Sequence, residues 1–195
     1  MKLDNEEKSL LRKEVLHKRN SMSHFEISTK SKLIQQKLIE SPVFNQSKSI
    51  GLYLAIGSEV QTKGIINYAL DLGKTVSLPR IISNDLRFYV VDQTDFEKKS
   101  FDVNRFGIKE PKIDNKPADF IDLLIIPGIV FDLYGFRIGY GYGYYDKYLT
   151  YNKLSKSIGL AYDFQLIKKP IPILQHDRKI YVLITEIGFN VFNSF

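Results

Sequence analysis

The feature that most constrains this chain is the run Ile121-Asp-Leu-Leu-Ile-Ile126, stopped at once by Pro127-Gly128. It is far too short to span a bilayer. A short apolar run bounded by turn residues reads as a buried strand. Further strands are expected at 49–55, 75–78, 157–161, 181–185 and 186–192. Asn84-Asp85 is expected to turn the chain between Ile81-Ile82 and a strand over 86–91. Between them lie helical patterns. Asp4 with Glu7 opens a helix over about 5–20. Ser23 with Glu26 opens a second, with Ile27, Ile34 and Leu38 at helical spacing and Pro42 past its end. Thr62 is placed to cap a third running to Leu72, with Gly73 at its C-terminal cap. A short helix is expected near 143–151, and 101–117 reads as extended and loop-like. Strands alternating with helices predict an α/β layered domain with a mostly parallel central sheet flanked by helices, a single domain over 1–195. Ligands of such sheets bind beyond the carboxyl ends of the strands, which directs attention to the segment after Ile126.

The chain has 195 residues, 44% hydrophobic and 26% charged, which suits one folded domain with a proper core. It contains no cysteine, so a disulfide framework and a thiolate metal site are excluded. The first residues are charged and carry no apolar signal-peptide core, and the expected location is the cytoplasm, with no membrane role. The net charge of +6 is spread along the chain among acids rather than gathered in a tail. It favours anionic ligands in general and does not single out nucleic acid.

The segment after Pro127 carries Arg137-x-Gly139-Tyr140-Gly141-Tyr142-Gly143-Tyr144-Tyr145-Asp146. Spaced glycines let the backbone approach a ligand, and N–H groups leading into a helix start form an anion cradle. Arg137 adds a planar fork suited to phosphate, and Asp146 can hold a metal that itself holds phosphate oxygens. The tyrosines offer flat faces for stacking. On residue types alone a second reading stays open: a Gly/Tyr-rich turn packed on the core, with Asp146 merely favouring a helix N-terminus. Lys8 and Arg12 share a helix face, and Arg19, eleven residues beyond Lys8, falls on the same stripe. Such a stripe is either a solvated basic face or one answered by an anion.

The run from Arg137 to Asp146, continued by Tyr148-Leu149 and preceded by Pro127-Gly128-x-x-Phe131-Asp132, resembles the signature of 5-formyltetrahydrofolate cyclo-ligases. Lys8-x-x-x-Arg12, Tyr53-Leu54 with Glu59-Val60-x-Thr62, Leu78-Pro79-Arg80, Gly107-Ile108-x-Glu110-Pro111, His176-Asp177 and Thr185-Glu186 follow in that family's order. The resemblance covers nearly the whole chain and is most specific at the glycine–tyrosine run. It implies a sheet similar to those of sugar-phosphate isomerases and CoA transferases, and a monomer acting on 5-formyltetrahydrofolate with ATP and Mg2+. It implies Lys8, Arg12, Arg137 and Gly139 to Tyr145 at the nucleotide. It implies Leu54, Glu59, Tyr140, Gly141, Tyr142, Gly143 and Tyr144 at the folate, and Asp146 and Asp177 at the metal. Arg137 and Tyr145 are the residues expected to act on the reacting groups. The chain departs from the family at Tyr140 and Tyr142, where small or basic residues are common; tyrosine there removes positive charge near phosphate. The roles of Arg19 and His176 stay open. Two other readings stand beside this one: a different enzyme on the same fold, which would not consume ATP, and a basic nucleic-acid binder using its tyrosines as stacking platforms.

Overall fold

The computed structural model describes residues 2–152 and 156–192, with side chains from residue 5 onward. Helix α1 (Lys2–Asn20) begins earlier than expected, so Asp4 lies inside it rather than at its cap; the side chain of Asp4 is outside the described set. Helix α2 (His24–Glu40) starts as expected, with a reciprocal capping box between Ser23 and Glu26. Ser41 ends α2 and caps a short helix α3 (Pro42–Gln46), with Pro42 in its first turn. The first strand, β1 (Ser49–Gly51), is followed by α4 (Lys63–Asp71), β2 (Thr75–Ile82) and β3 (Asp85–Val91). Next come α5 (Gln93–Glu97), β4 (Phe101–Val103), β5 (Lys109–Pro111), β6 (Leu123–Ile126), β7 (Val130–Asp132) and β8 (Arg137–Ile138). The chain continues through α6 (Tyr144–Tyr151), β9 (Lys156–Leu160), β10 (Leu166–Ile167), β11 (Val182–Ile184) and β12 (Phe189–Val191).

Seven strands form the central sheet in the order β12-β11-β9-β6-β1-β2-β3. The five inner strands are parallel, and the edge strands β3 and β12 are antiparallel to their neighbours. Strand β6 is central and wholly buried, which explains its unbroken apolar run. Its side chains alternate between two cores. Leu123 and Ile125 face α2 and α4 through Ile34, Leu38, Ile65 and Ile66. Leu124 and Ile126 face the other side with Phe131, Leu149 of α6 and Leu183. A smaller sheet, β10-β7-β8, packs Val130 and Ile138 against Val15 of α1.

The expected capping role of Thr62 is not what the structure shows: its side chain makes no cap bond to α4. Its hydroxyl donates instead to the Tyr53 carbonyl at 2.6 Å. Tyr53 lies just past the end of β1, where its buried carbonyl has left the sheet ladder and needs a donor. This also shortens the expected 49–55 strand: the last ladder bond is from Leu52 N–H to the Ser77 carbonyl, and the chain then turns away. At the other end of α4, Gly73 adopts φ +69°. Its N–H meets Leu70 O and that of Lys74 meets Ala69 O, the paired closure expected there. The loop-like 101–117 contains the β4–β5 hairpin, and the 186–192 strand is confined to Phe189–Val191.

Close packing on β9 makes one position sensitive. A Cβ at Gly159 would lie 2.7 Å from Ile180 Cδ1 and 2.8 Å from Phe131 Cε1, both buried. Gly159→Ala is expected to cost about 1–3 kcal/mol of stability through overpacking. A denaturant midpoint unchanged from the parent chain would contradict this.

Candidate active site

The sheet reverses its winding between β1 and β6: β1 leads outward to β2 through α4, and β6 leads the other way to β9 through α6. The crevice at such a reversal is where α/β sheets bind ligands. Here a cavity of about 790 Å3 opens at that place, and Lys8, Arg12, Leu54, Glu59, Arg137, residues 139–145, Asp146 and Asp177 all line it. The structure therefore brings every expected site residue to one cavity. No helix among the described residues is long and apolar enough to cross a membrane.

The glycine run leaves β8 and enters α6 by a path that side chains other than glycine would strain. Gly141 has φ +103° and Gly143, which caps α6, has φ +68°. The Gly139 carbonyl accepts a bond from Arg12 Nε at 2.8 Å, which ties the loop to α1. Arg137 is 7% exposed and held on two sides. Its guanidinium donates to the Arg178 carbonyl at 2.9 Å and pairs with Asp146 at 3.1 Å. Asp146 also accepts the Arg178 N–H at 3.0 Å, so the first turn of α6 is fastened to the 174–178 turn. In that turn Asp177 pairs with Lys8 at 2.5 Å and accepts the Leu174 N–H at 2.8 Å. His176 is largely exposed at the cavity edge, 3.8 Å from Asp177.

These contacts allow a metal to be tested against the residues present. Among the described residues no group of three or more His, Cys, Asp or Glu could hold an ion alone. Asp146 uses Oδ1 and Asp177 uses Oδ2 for the bonds just described. Two carboxylates in one cavity, each with a second oxygen, match magnesium only when phosphate and water complete its shell. The donor set thus fits a metal that arrives with a phosphate ligand.

Glu59 is 5% exposed and accepts the Ile56 N–H at 3.0 Å. Burial raises its carboxyl above the usual range, opposed by the Ile56 N–H, the Arg19 charge and the Tyr140 hydroxyl. Tyr145 stands in the same cavity; burial of its hydroxyl and the Glu59 charge push its ionisation far up, with Arg137 acting against them. It remains a neutral hydrogen-bond donor at any working pH. Tyr142 stacks on Tyr144 with centroids 5.6 Å apart and meets Phe106 at 5.2 Å. Phe106, in the β4–β5 turn, is a cavity residue that sequence reasoning did not single out; its proximity to the Gly107-Ile108 motif was the available signal. Arg19 is not on a solvated face. It is 2% exposed and donates to Ser58 Oγ at 3.1 Å, Gly128 O at 3.4 Å and Tyr140 OH at 3.0 Å. Asp132 of the Phe-Asp motif lies in the core, where its carboxylate accepts the N–H groups of Tyr134, Phe136 and Ile171 and shapes the turn before β8.

The same arrangement of sequence and fold is found in known proteins. The model of the 5-formyltetrahydrofolate cyclo-ligase family matches residues 4–186. A probable 5-formyltetrahydrofolate cyclo-ligase of Caenorhabditis elegans is 33% identical, covering 93% of both chains. The 5-formyltetrahydrofolate cyclo-ligase of Mus musculus is 30% identical over 93% of this chain and 95% of its own. Among solved structures, a 5,10-methenyltetrahydrofolate synthetase from Aquifex aeolicus superposes with a TM-score of 0.84 at 33% identity, covering 96% of this chain and 94% of its own. One from Mycoplasma pneumoniae gives 0.72 at 26% identity, covering 92% and 98%.

Proposed function

The chain belongs to the 5-formyltetrahydrofolate cyclo-ligase family, and from that premise we propose how its cavity carries out the reaction on 5-formyltetrahydrofolate. It is a ligase of folate one-carbon metabolism. In the proposed reaction ATP transfers its γ-phosphoryl group to the formyl oxygen and ADP leaves. The lone pair of N10 attacks the activated carbon, the C–O bond breaks, phosphate departs, and N10 loses its proton. The product is 5,10-methenyltetrahydrofolate. An amide oxygen is a poor leaving group, and phosphorylation solves that problem without a covalent enzyme intermediate. The protein's work is positioning and charge stabilisation.

The observation that carries this reading is the convergence of two unlike sets of groups on one cavity. Lys8, Arg12, Arg137 and the loop N–H groups are chemistry for phosphates. Glu59, beside Leu54 and Tyr53, is a buried acceptor able to take two parallel N–H bonds from a pterin. Asp146 and Asp177 are the pair for a magnesium ion, which when bound supplies neutralisation of phosphate charge. Residues 140–144 serve both ligands, and Tyr145 orients the formyl group through its hydroxyl. Tyr145→Phe is expected to lower kcat roughly tenfold or more with little change in folate KM; unchanged turnover would remove Tyr145 from the mechanism. We read the chain further as one domain and a monomer of the cytoplasm, with no nucleic-acid role, since its lysines are scattered among acids.

The decisive experiment follows the absorbance of the conjugated methenyl product with purified protein, 5-formyltetrahydrofolate, ATP and magnesium. A rise that needs both ATP and magnesium is expected. Its absence from a folded protein would overturn the proposed reaction.

A further inference from the structure

Arg19 sits in the last turn of α1 and does not line the cavity. A guanidinium that is 2% exposed carries a large desolvation cost, and it persists only where its donors are answered. Here they are answered by three separate segments. Nε reaches Ser58 Oγ, on the residue before Glu59; Nη1 reaches the Gly128 carbonyl after β6; Nη2 reaches the Tyr140 hydroxyl in the glycine run. The Tyr140 hydroxyl in turn acts on the Glu59 carboxylate, which lines the same cavity. A phenol can accept from one side and donate to the other, so Tyr140, which accepts from Arg19, stands between the cation and the carboxylate.

We infer that Arg19 is a positioning residue that acts on the substrate-binding carboxylate of Glu59 through the Tyr140 hydroxyl. The inference rests on the reading of Glu59 as the pterin acceptor. It assigns Arg19 a part in folate recognition without contact to folate. It also gives Tyr140 a defined role, in which one hydroxyl fixes the carboxylate in orientation and in charge. The other groups felt by Glu59 do not substitute for it. Tyr53 follows β1, Tyr145 lies in the first turn of α6 and Tyr162 follows β9; all three are neutral phenols, whereas Arg19 is a cation acting on Glu59.

Glu59 binds the pterin as a carboxylate, so binding falls as pH drops through its ionisation. Both Arg19 and the Tyr140 hydroxyl favour the charged form. Loss of either moves the acid limb of folate binding to higher pH.

The inference is tested by calorimetric binding of 5-formyltetrahydrofolate without ATP, from mildly acidic to neutral pH, to wild type, Tyr140→Phe, Arg19→Met, Arg19→Lys and Glu59→Gln. The substrate's own titration is common to all and cancels in the comparison. Tyr140→Phe is the sharp variant, because Tyr140 is half exposed and its ring can stay while the hydroxyl goes. Its acid limb is expected to rise by on the order of one pH unit. Arg19→Met should shift at least as far, with Arg19→Lys in between because it keeps the charge but not the fork. A Tyr140→Phe limb that superposes on wild type, while Glu59→Gln has lost its limb, would overturn the relay and leave the Glu59 assignment standing. A Glu59→Gln variant that keeps both the affinity and the limb of wild type would overturn the Glu59 assignment and the relay with it.

Discussion

Asp146→Asn is expected to cut turnover by roughly 10^3-fold, the scale of losing a metal-bearing carboxylate together with the charge that orients a transition-state cation. The substitution keeps the size of the side chain and removes its charge. Two losses coincide. Arg137, 3% exposed in its side chain, loses the negative charge of its ion-pair partner and keeps neutral acceptors such as the Arg178 carbonyl. The phosphate end of the cavity loses one of the two carboxylates proposed for magnesium. The expected kinetic pattern is a fall in kcat with a raised requirement for magnesium and ATP. Folate affinity measured without ATP should stay near wild type, because Glu59 accepts its bond from Ile56 and is influenced by Arg19 and Tyr140 rather than by Asp146. Stability should fall by about 2 kcal/mol, less than for a fully buried pair because Asp146 keeps some solvent access. Turnover within tenfold of wild type at saturating magnesium would exclude Asp146 as a ligand. The readouts are initial rates of methenyl product over a magnesium titration and a denaturant midpoint.

Glu59→Gln is expected to do the reverse in two assays at once: folate binding weaker by roughly 10^2-fold, and a more stable protein at neutral pH. The first effect follows from losing charge-assisted acceptance of two N–H bonds. The second follows from burial. The folded-state ionisation of Glu59 is raised above its unfolded value. Keeping it charged therefore costs stability at pH above the folded-state value, and the cost fades as pH falls through that value and the group protonates. Glutamine carries no such cost. A gain of about 1 kcal/mol would lift Tm by roughly 2–4 °C for a chain of this size. A destabilised Glu59→Gln would show that the carboxylate is compensated in the free protein more fully than its one backbone donor and Tyr140 indicate.

Much of this architecture was legible in the residues. The central strand was readable because β6 is apolar on both faces, and α2 because Ser23 and Glu26 cap each other through local bonds. The glycine run was readable because positive φ at Gly141 and Gly143 leaves glycine as the fitting residue. What was not legible depends on contacts distant in sequence. Thr62 looks like a helix cap until the Tyr53 carbonyl is known to lie beside it. Arg19 looks like part of a solvated stripe until Ser58, Gly128 and Tyr140 are brought around it. The strands β7, β8 and β10 hold two or three residues each, too few for any periodicity to register. Helix α5 carries an Asp92–Asp95 cap in the sequence, yet five residues give it no apolar repeat.

The bond between Lys8 and Asp177 closes a span of 169 residues, and those from α1 to the glycine run close spans of 121 and 127. During synthesis α1 emerges ahead of the other described elements, and its most distant partner, Asp177, follows 169 residues after Lys8. A nascent chain released before residue 177 would hold strands β1, β2, β3, β6 and β9 of the central sheet yet lack the turn that receives Lys8. Contacts this remote are slow to form. The appearance of nucleotide binding during refolding is thus expected to lag the appearance of sheet structure, which makes closure by α1 a natural clock for the maturation of this enzyme.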